Sequence, residues 1–342
     1  MQPQAGGTPA GATPQPPREM PDRLVRRSLE VPANLHDFLR DAAPQHSEGF
    51  DYTRVRPVNR EMFTGDWRIR EADLLFEIPF LDETLDVPAI VCVLLEHQSD
   101  TDRPIPLRML FTTTGYWERC LHTWEALPRP RPRFELPPIL PILLYTGERP
   151  WGSSRTIHDL LGGPAAFHTF APEWGPLFWN LADRTPQQLL DGGAFLQVMA
   201  ILRVAREEQA EFERVFAAAM GRLQALHGSE EVRWHDLLNF ALRYAVWRRR
   251  GDEQQRLVEI AVANHPGREN EVRIMAQTAA ESYIEEGRFD AMRRALRIFL
   301  EARFGPLPES LKREIAEARD LQLLDSAVER AGHVKTLEEF HL

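Results

Sequence analysis

Seven consecutive apolar residues, Ala89 to Leu95, broken at once by Glu96-His97-Gln98, constrain the fold of this chain more than any other feature. An apolar run of that length without alternation reads as a strand buried on both faces. Such a strand needs neighbours on either side. Upstream, "TRVRPVNREMFT" and "WRIREADLLFEIPFLD" are extended candidates, and Thr64-Gly65-Asp66 between them predicts a β-hairpin. Downstream, from about 104 to 124, Leu107, Leu110, Phe111, Thr114 and Trp117 recur at helical spacing and predict a crossover helix. The Pro- and Arg-rich linker "ALPRPRPRFELPP" follows. Then comes "ILPILLYTG" at 139 to 147, where Pro141 predicts a strand that starts late or runs along an edge. The resulting order β, β, β, α, β is a mixed sheet with a crossover.

The flanks differ in character. Residues 1 to 22 are Pro, Gly, Ala and Gln with almost no bulky apolar side chain, and are expected to be a disordered tail. A short helix is expected at 35 to 44. Beyond about 187 strand signals cease, and helices are predicted at 187 to 206, 208 to 227, 230 to 250, 253 to 264, 268 to 286, 288 to 304 and 308 to 331. The last stretches make an αα-hairpin with apolar stripes, suited to packing or self-association. The expected division is therefore a tail (1–22), an α/β domain (23–186) and an all-α C-terminal region (187–342).

At 43% apolar residues the chain can bury its core without disulfides or a structural metal. Cys92 and Cys120 stand singly in apolar stretches, with no C-x-x-C spacing, and read as core thiols. No apolar run reaches the roughly 20 residues that span a bilayer, and no signal-peptide pattern opens the chain, so a cytoplasmic protein without membrane contact is expected. A net charge of -10 argues against a globally basic nucleic-acid-binding surface. It does not argue against an enzyme, in which catalytic carboxylates add to the negative count and a local arginine cluster can grip phosphate.

Glycine-rich phosphate loops, H-E-x-x-H and G-x-S-x-G are all missing from the sequence. What carries chemistry is acidic. A period of two puts Glu71, Asp73 and Glu77 on one face of a strand whose other face is Ala72, Leu74, Phe76 and Ile78. In the following strand Glu96 and Gln98 point one way and His97 the other. An ionisable group closing a buried strand is costly unless paired or bound to metal. Asp73 and Glu96 together suit a hard divalent ion such as Mg²⁺. The structural alternative is that these are ordinary strand-end carboxylates, with Glu71 and Glu77 at hairpin edges or paired to Arg68 or Arg70.

"EADLLFEIPF", "VCVLLEHQSDTDRPIPLRML" and "LPPILPILLYTGERPW" together resemble the recombination-promoting nuclease (Rpn) family, also called YhgA-like putative transposases. The resemblance covers about residues 35 to 185, and "FLEARFGPLP" extends it more weakly. It implies a PD-(D/E)XK restriction-endonuclease-like mixed-sheet core followed by an all-α region. It also implies a metal-dependent DNA endonuclease linked to recombination, mobile-element or phage biology. Residue by residue, it implies Asp73 as the signature aspartate and Glu96 as the carboxylate of the E-x-K element. Gln98 takes that element's third position, as is common in this family, where the wider superfamily has lysine. Asp73, Glu96 and the main-chain carbonyl of His97 would then hold Mg²⁺, with Mn²⁺ or Ca²⁺ as other occupants, and Arg108 would contact the DNA phosphate. Two departures count against it. Ala72 stands where the superfamily has proline, and the only lysines, Lys312 and Lys335, lie far outside the matched segment.

Two competing readings therefore stand beside the nuclease: a catalytically decayed DNA- or protein-binding module with a helical oligomerisation region, and a chain whose active part is the helical half, 187 to 342, as a scaffold for protein partners.

Overall fold

The computed structural model describes residues 20–58, 73–85, 87–96, 104–147, 149–226 and 228–342. The expected tail falls almost wholly outside these residues, as do Glu71, Arg68, Arg70 and the Thr64-Gly65-Asp66 turn. Three helices open the described chain: α1 (Met20–Leu29), α2 (Pro32–Ala42) and α3 (Pro44–Ser47). Proline sits in the first turn of both α2 and α3, where its missing N–H costs nothing.

Strands β1 (Arg56–Pro57), β2 (Asp73–Ile78) and β3 (Ala89–Glu96) follow, then helix α4 (Ile105–Glu125), strand β4 (Ile139–Tyr145) and strand β5 (Leu177–Asn180). They form one five-stranded sheet in the order β1-β2-β3-β4-β5. The first three strands are antiparallel, and β3, β4 and β5 are parallel, joined across β3 and β4 by the α4 crossover. The fold is thus mixed α/β, with β3 at the centre as its unbroken apolar run requires. Strand β5 carries no apolar run long enough to betray it.

Pro141 proves to lie inside the sheet rather than on an edge strand, and the hydrogen-bond phase explains how. The Ile90 N–H donates to the Pro138 carbonyl at 2.8 Å, so alternate residues 138, 140 and 142 bond toward β3. Pro141 faces the other way, and β5 begins pairing only at Ile142, opposite Leu177. The missing N–H meets no strand there.

Helix α4 turns a different face to the sheet than the one expected. Ile105, Met109, Thr112, Thr113 and Tyr116 are buried, whereas Phe111 and Thr114 are exposed and Leu107, Leu110 and Trp117 only half-buried. The linker accounts for part of this, because the Trp117 and Trp124 indoles donate to the Pro137 and Pro132 carbonyls.

The remaining chain is helical: α5 (Pro186–Asp191), α6 (Ala194–Arg203), α7 (Gln209–Leu223), α8 (Glu231–Arg248), α9 (Asp252–Ala263), α10 (Glu269–Phe304), α11 (Glu309–Glu317) and α12 (Leu321–His333). Three expected spans are redrawn. The helix expected at 187 to 206 breaks at Gly192-Gly193, since the Asp37 carboxylate from α2 accepts from the Phe195 N–H at 3.0 Å and caps α6. A Cβ on Gly193 would stand 2.1 Å from that carboxylate, so any other residue there would push Asp37 out of its capping position. The spans 268 to 286 and 288 to 304 fuse through Gly287 into the 36-residue α10. Helix-interior glycine costs about 1 kcal/mol, offset here by packing at both ends and by the Arg243–Glu286 ion pair at 2.6 Å. The span 308 to 331 divides where Asp320 caps the Gln322 and Leu323 N–H groups and Arg293 takes up the Ala318 carbonyl.

One face of the sheet, through Leu74, Phe76, Ile78, Val91, Val93 and Leu95, joins a core that runs without interruption into α2 and α5 to α10. Hydrophobic packing is thus continuous across residues 186 and 187. The opposite face, through Leu75, Ile90, Cys92, Leu94 and Leu143, packs on α4 in a smaller cluster. Cys92 is fully buried there and Cys120 packs on the cluster's margin, so both behave as core thiols. A third cluster unites the C-terminal half of α10 with α11 and α12, the expected αα-hairpin. Among the described residues no helix is long and apolar enough to cross a membrane.

Candidate active site

Strand register decides which of the acidic residues come together. In the antiparallel pair of β2 and β3, Asp73 stands opposite Leu94, Leu75 opposite Cys92 and Glu77 opposite Ile90. Opposed residues share a face, and a strand repeats every two residues. Positions 73, 75 and 77 of β2 therefore share a face with 90, 92, 94 and 96 of β3, the face that α4 covers. Asp73 opens β2 and Glu96 closes β3, so both backbone positions lie at one end of the sheet, displaced by a single diagonal step. Diagonal neighbours on one face have Cα atoms about 7–8 Å apart, a spacing that two carboxylates can bridge to one ion. Glu96 also stands opposite Tyr145, the last residue of β4. Tyr145 is buried and donates its hydroxyl to the Arg149 carbonyl at 2.6 Å.

The sequence-derived candidates fall unevenly on this frame. Asp73 and Glu96 are described through their backbone, whereas His97 and Gln98 lie outside the described residues. Arg108 is in the first turn of α4, half-buried, with its N–H bonded to the Pro104 carbonyl at 3.0 Å. Helix α4 starts from a proline-rich N-terminus, with Pro104 preceding it and Pro106 in its first turn.

Glu77 is committed elsewhere. It lies at the far end of the same face, opposite Arg56 of β1, and accepts the Tyr116 hydroxyl from α4 at 2.7 Å. A phenol is thus one partner of Glu77, while Arg68 and Arg70, the arginines considered from sequence, lie outside the described residues. Burial first, and the Glu77 carboxylate second, push the Tyr116 phenol well above its ordinary range. Tyr116 was not singled out from sequence, because a single tyrosine on a predicted helix carries no periodic signal. Also at that far end, Arg54, Arg56, Glu77 and Glu83 line a small cleft with Phe80 and Leu85. Among the described residues no three His, Cys, Asp or Glu side chains converge as a ready metal cage.

A five-stranded mixed sheet, with an acidic residue closing its central strand and another opening the strand beside it, defines an α/β protein of mixed topology with one chemically loaded end. The chain belongs to the family described as "Putative transposase, YhgA-like", whose model matches residues 20–231, from α1 into the first turn of α8. That agrees with the Rpn/YhgA-like resemblance of the sequence blocks. No curated protein and no solved structure matches the chain.

Proposed function

We propose that this chain is a metal-dependent endonuclease of the PD-(D/E)XK type that hydrolyses DNA phosphodiester bonds in recombination or mobile-element biology. The observation that carries the reading is the β2–β3 register, which sets Asp73 and Glu96 on one face at one end of adjacent strands. Membership of a transposase-like family supports it. Asp73, Glu96 and the main-chain carbonyl of His97 would hold Mg²⁺, with Mn²⁺ or Ca²⁺ as alternatives. When bound, such an ion supplies Lewis acidity toward phosphate oxygens and makes a nearby water a better nucleophile. The Gln98 amide orients that water, and since an amide is too weakly basic to take up a proton near neutral pH it does not act as the base. Arg108 donates two parallel hydrogen bonds to the non-bridging oxygens. The helices that follow the sheet support DNA engagement.

Nicking of supercoiled plasmid by the wild type, Asp73→Asn and Glu96→Gln, each with Mg²⁺, Mn²⁺ or EDTA, tests the reading. Metal-dependent nicking that both substitutions abolish is the expected outcome. A folded wild type that shifts DNA in a gel but nicks it with no metal overturns the nuclease in favour of a binding module, with Gln98 the mark of a lost lysine.

A further inference from the structure

Helix α10 is exposed along one side for most of its length, and that side carries large apolar residues among the polar Asn270, Arg273, Gln277, Glu281 and Arg288. Ile274, Ile284, Ile298 and Phe299 are 64%, 55%, 52% and 42% exposed. At 100° per residue these four, together with Glu281 and Arg288, fall within about 120° of one another. The buried residues of the helix turn elsewhere. Val272, Met275, Ala276 and Ala279 join the main core, while Leu296 and Leu300 join the C-terminal cluster. The apolar stripe therefore faces away from both. Its spacing is heptad-like, since Ile284 and Ile298 are two heptads apart and Glu281 and Arg288 one, the repeat by which helices pair along a shared seam.

We infer that this stripe is a self-association surface that takes the same helix of a second copy in antiparallel orientation. Charge selects the occupant and the orientation. Glu281 and Arg288 are both exposed, and they lie on either side of Ile284. A twofold axis crossing the helix near Ile284 to Glu286 sets each Glu281 beside the partner's Arg288, making two opposite-charge pairs from one sequence. The same axis sets Ile274 of each copy opposite the partner's Ala295, about one turn from the partner's Ile298, and centres Ile284 in the seam. A parallel, in-register pair would set Glu281 against Glu281 and Arg288 against Arg288. Closed twofold interfaces use one patch twice, which this stripe satisfies.

The test uses the full chain without metal or DNA, so it is independent of the nuclease reading. Sedimentation equilibrium of the wild type gives a dimer at micromolar concentration. Glu281→Arg and Arg288→Glu each weaken it about tenfold, as expected for two exposed pairs turned repulsive, and the double reversal restores it. Ile284→Glu gives a monomer with unchanged circular dichroism. Bismaleimide joins an Ile274→Cys copy to an Ile298→Cys copy, not two Ile274→Cys copies. A monomeric wild type, a dimer indifferent to both reversals, or a double reversal no better than the singles overturns the assignment.

Discussion

Replacing Asp37 by asparagine tests the packing argument at its most concentrated point. One carboxylate of α2 holds two other helices. It caps α6 through the Phe195 N–H at 3.0 Å and pairs with Arg233 of α8. The two side chains are only 14% and 13% exposed, so solvent screens the pair little. Arg233 also donates to Asn34 and Glu230, each at 2.8 Å, and keeps those partners in the variant. The Phe195 N–H and the Arg233 guanidinium donate to the same oxygen, Oδ2, so an asparagine oxygen in that place can still accept from both, and what the variant removes is the negative charge that offsets the buried guanidinium. Breaking a buried pair costs about 3–5 kcal/mol. The partners left to Arg233 reduce that to about 3 kcal/mol, since a hydrogen bond to a charged group recovers about 1.5 kcal/mol or more. Urea unfolding followed by tryptophan fluorescence and by circular dichroism should show this loss with an unchanged slope. In a double-mutant cycle, Arg233→Gln should cost about 3 kcal/mol in the wild type and no more than about 1 kcal/mol beside Asp37→Asn. A loss below about 1 kcal/mol for Asp37→Asn would refute the assignment of this carboxylate as the junction of three helices.

Two further outcomes concern pH. His265 is fully buried with Nδ1 2.8 Å from the Ala261 carbonyl, and burial lowers its pKa from 6.5, as it does for half-buried His36. Both are held neutral by folding, so stability is level above about pH 6.5 and falls as the unfolded chain gains protons below it. His265→Gln should flatten the decline in urea midpoint between neutral and mildly acidic pH, and an unchanged slope would contradict the burial argument. At the alkaline end, burial raises Tyr52 to about 12 and carries Tyr116 and Tyr244 in the same direction. The protonated phenols favour the folded state fully below pH 10, and that contribution is lost as pH climbs through the folded values. Tyrosinate absorbance near pH 11 should therefore fall short of that of urea-unfolded protein by at least the share of these three phenols. Ionisation of all five tyrosines while circular dichroism stays native would contradict it.

The parts of the fold legible in the sequence are those where one strong local signal decides. The apolar run of β3 predicted a central strand, the apolar face of β2 predicted Leu74, Phe76 and Ile78 in the core, and the proline-flanked crossover predicted α4 nearly to its ends. What was not legible depends on distant partners. The break between α5 and α6 is made by a carboxylate 158 residues away in sequence from the N–H it caps. The continuity of α10 through Gly287 is decided by what packs on either side. The buried face of α4 was misread because the helix carries apolar residues on several sides, and only the sheet and the linker choose among them. At the candidate site, alternation within each strand set Asp73 and Glu96 on definite faces. That the two faces coincide follows only from the pairing of Asp73 with Leu94, an interstrand register that no single strand encodes.

Helix α10 serves two hydrophobic cores, with Val272 to Ala279 in one and Leu296 and Leu300 in the other. Its 36 residues extend roughly 54 Å. Between the cores the helix is held by its own backbone hydrogen bonds and by the Arg243–Glu286 pair. The C-terminal unit of α11 and α12 is thus joined to the main body by a single continuous rod, and melting it removes no contact from the sheet. Stability along the chain should be graded accordingly: the segment from the C-terminal half of α10 onward should open and reclose as a cooperative unit of its own while the β-strands stay shut. A truncation within α11 or α12 and one within α6 are therefore different in kind, the first removing a separable unit and the second opening the main core.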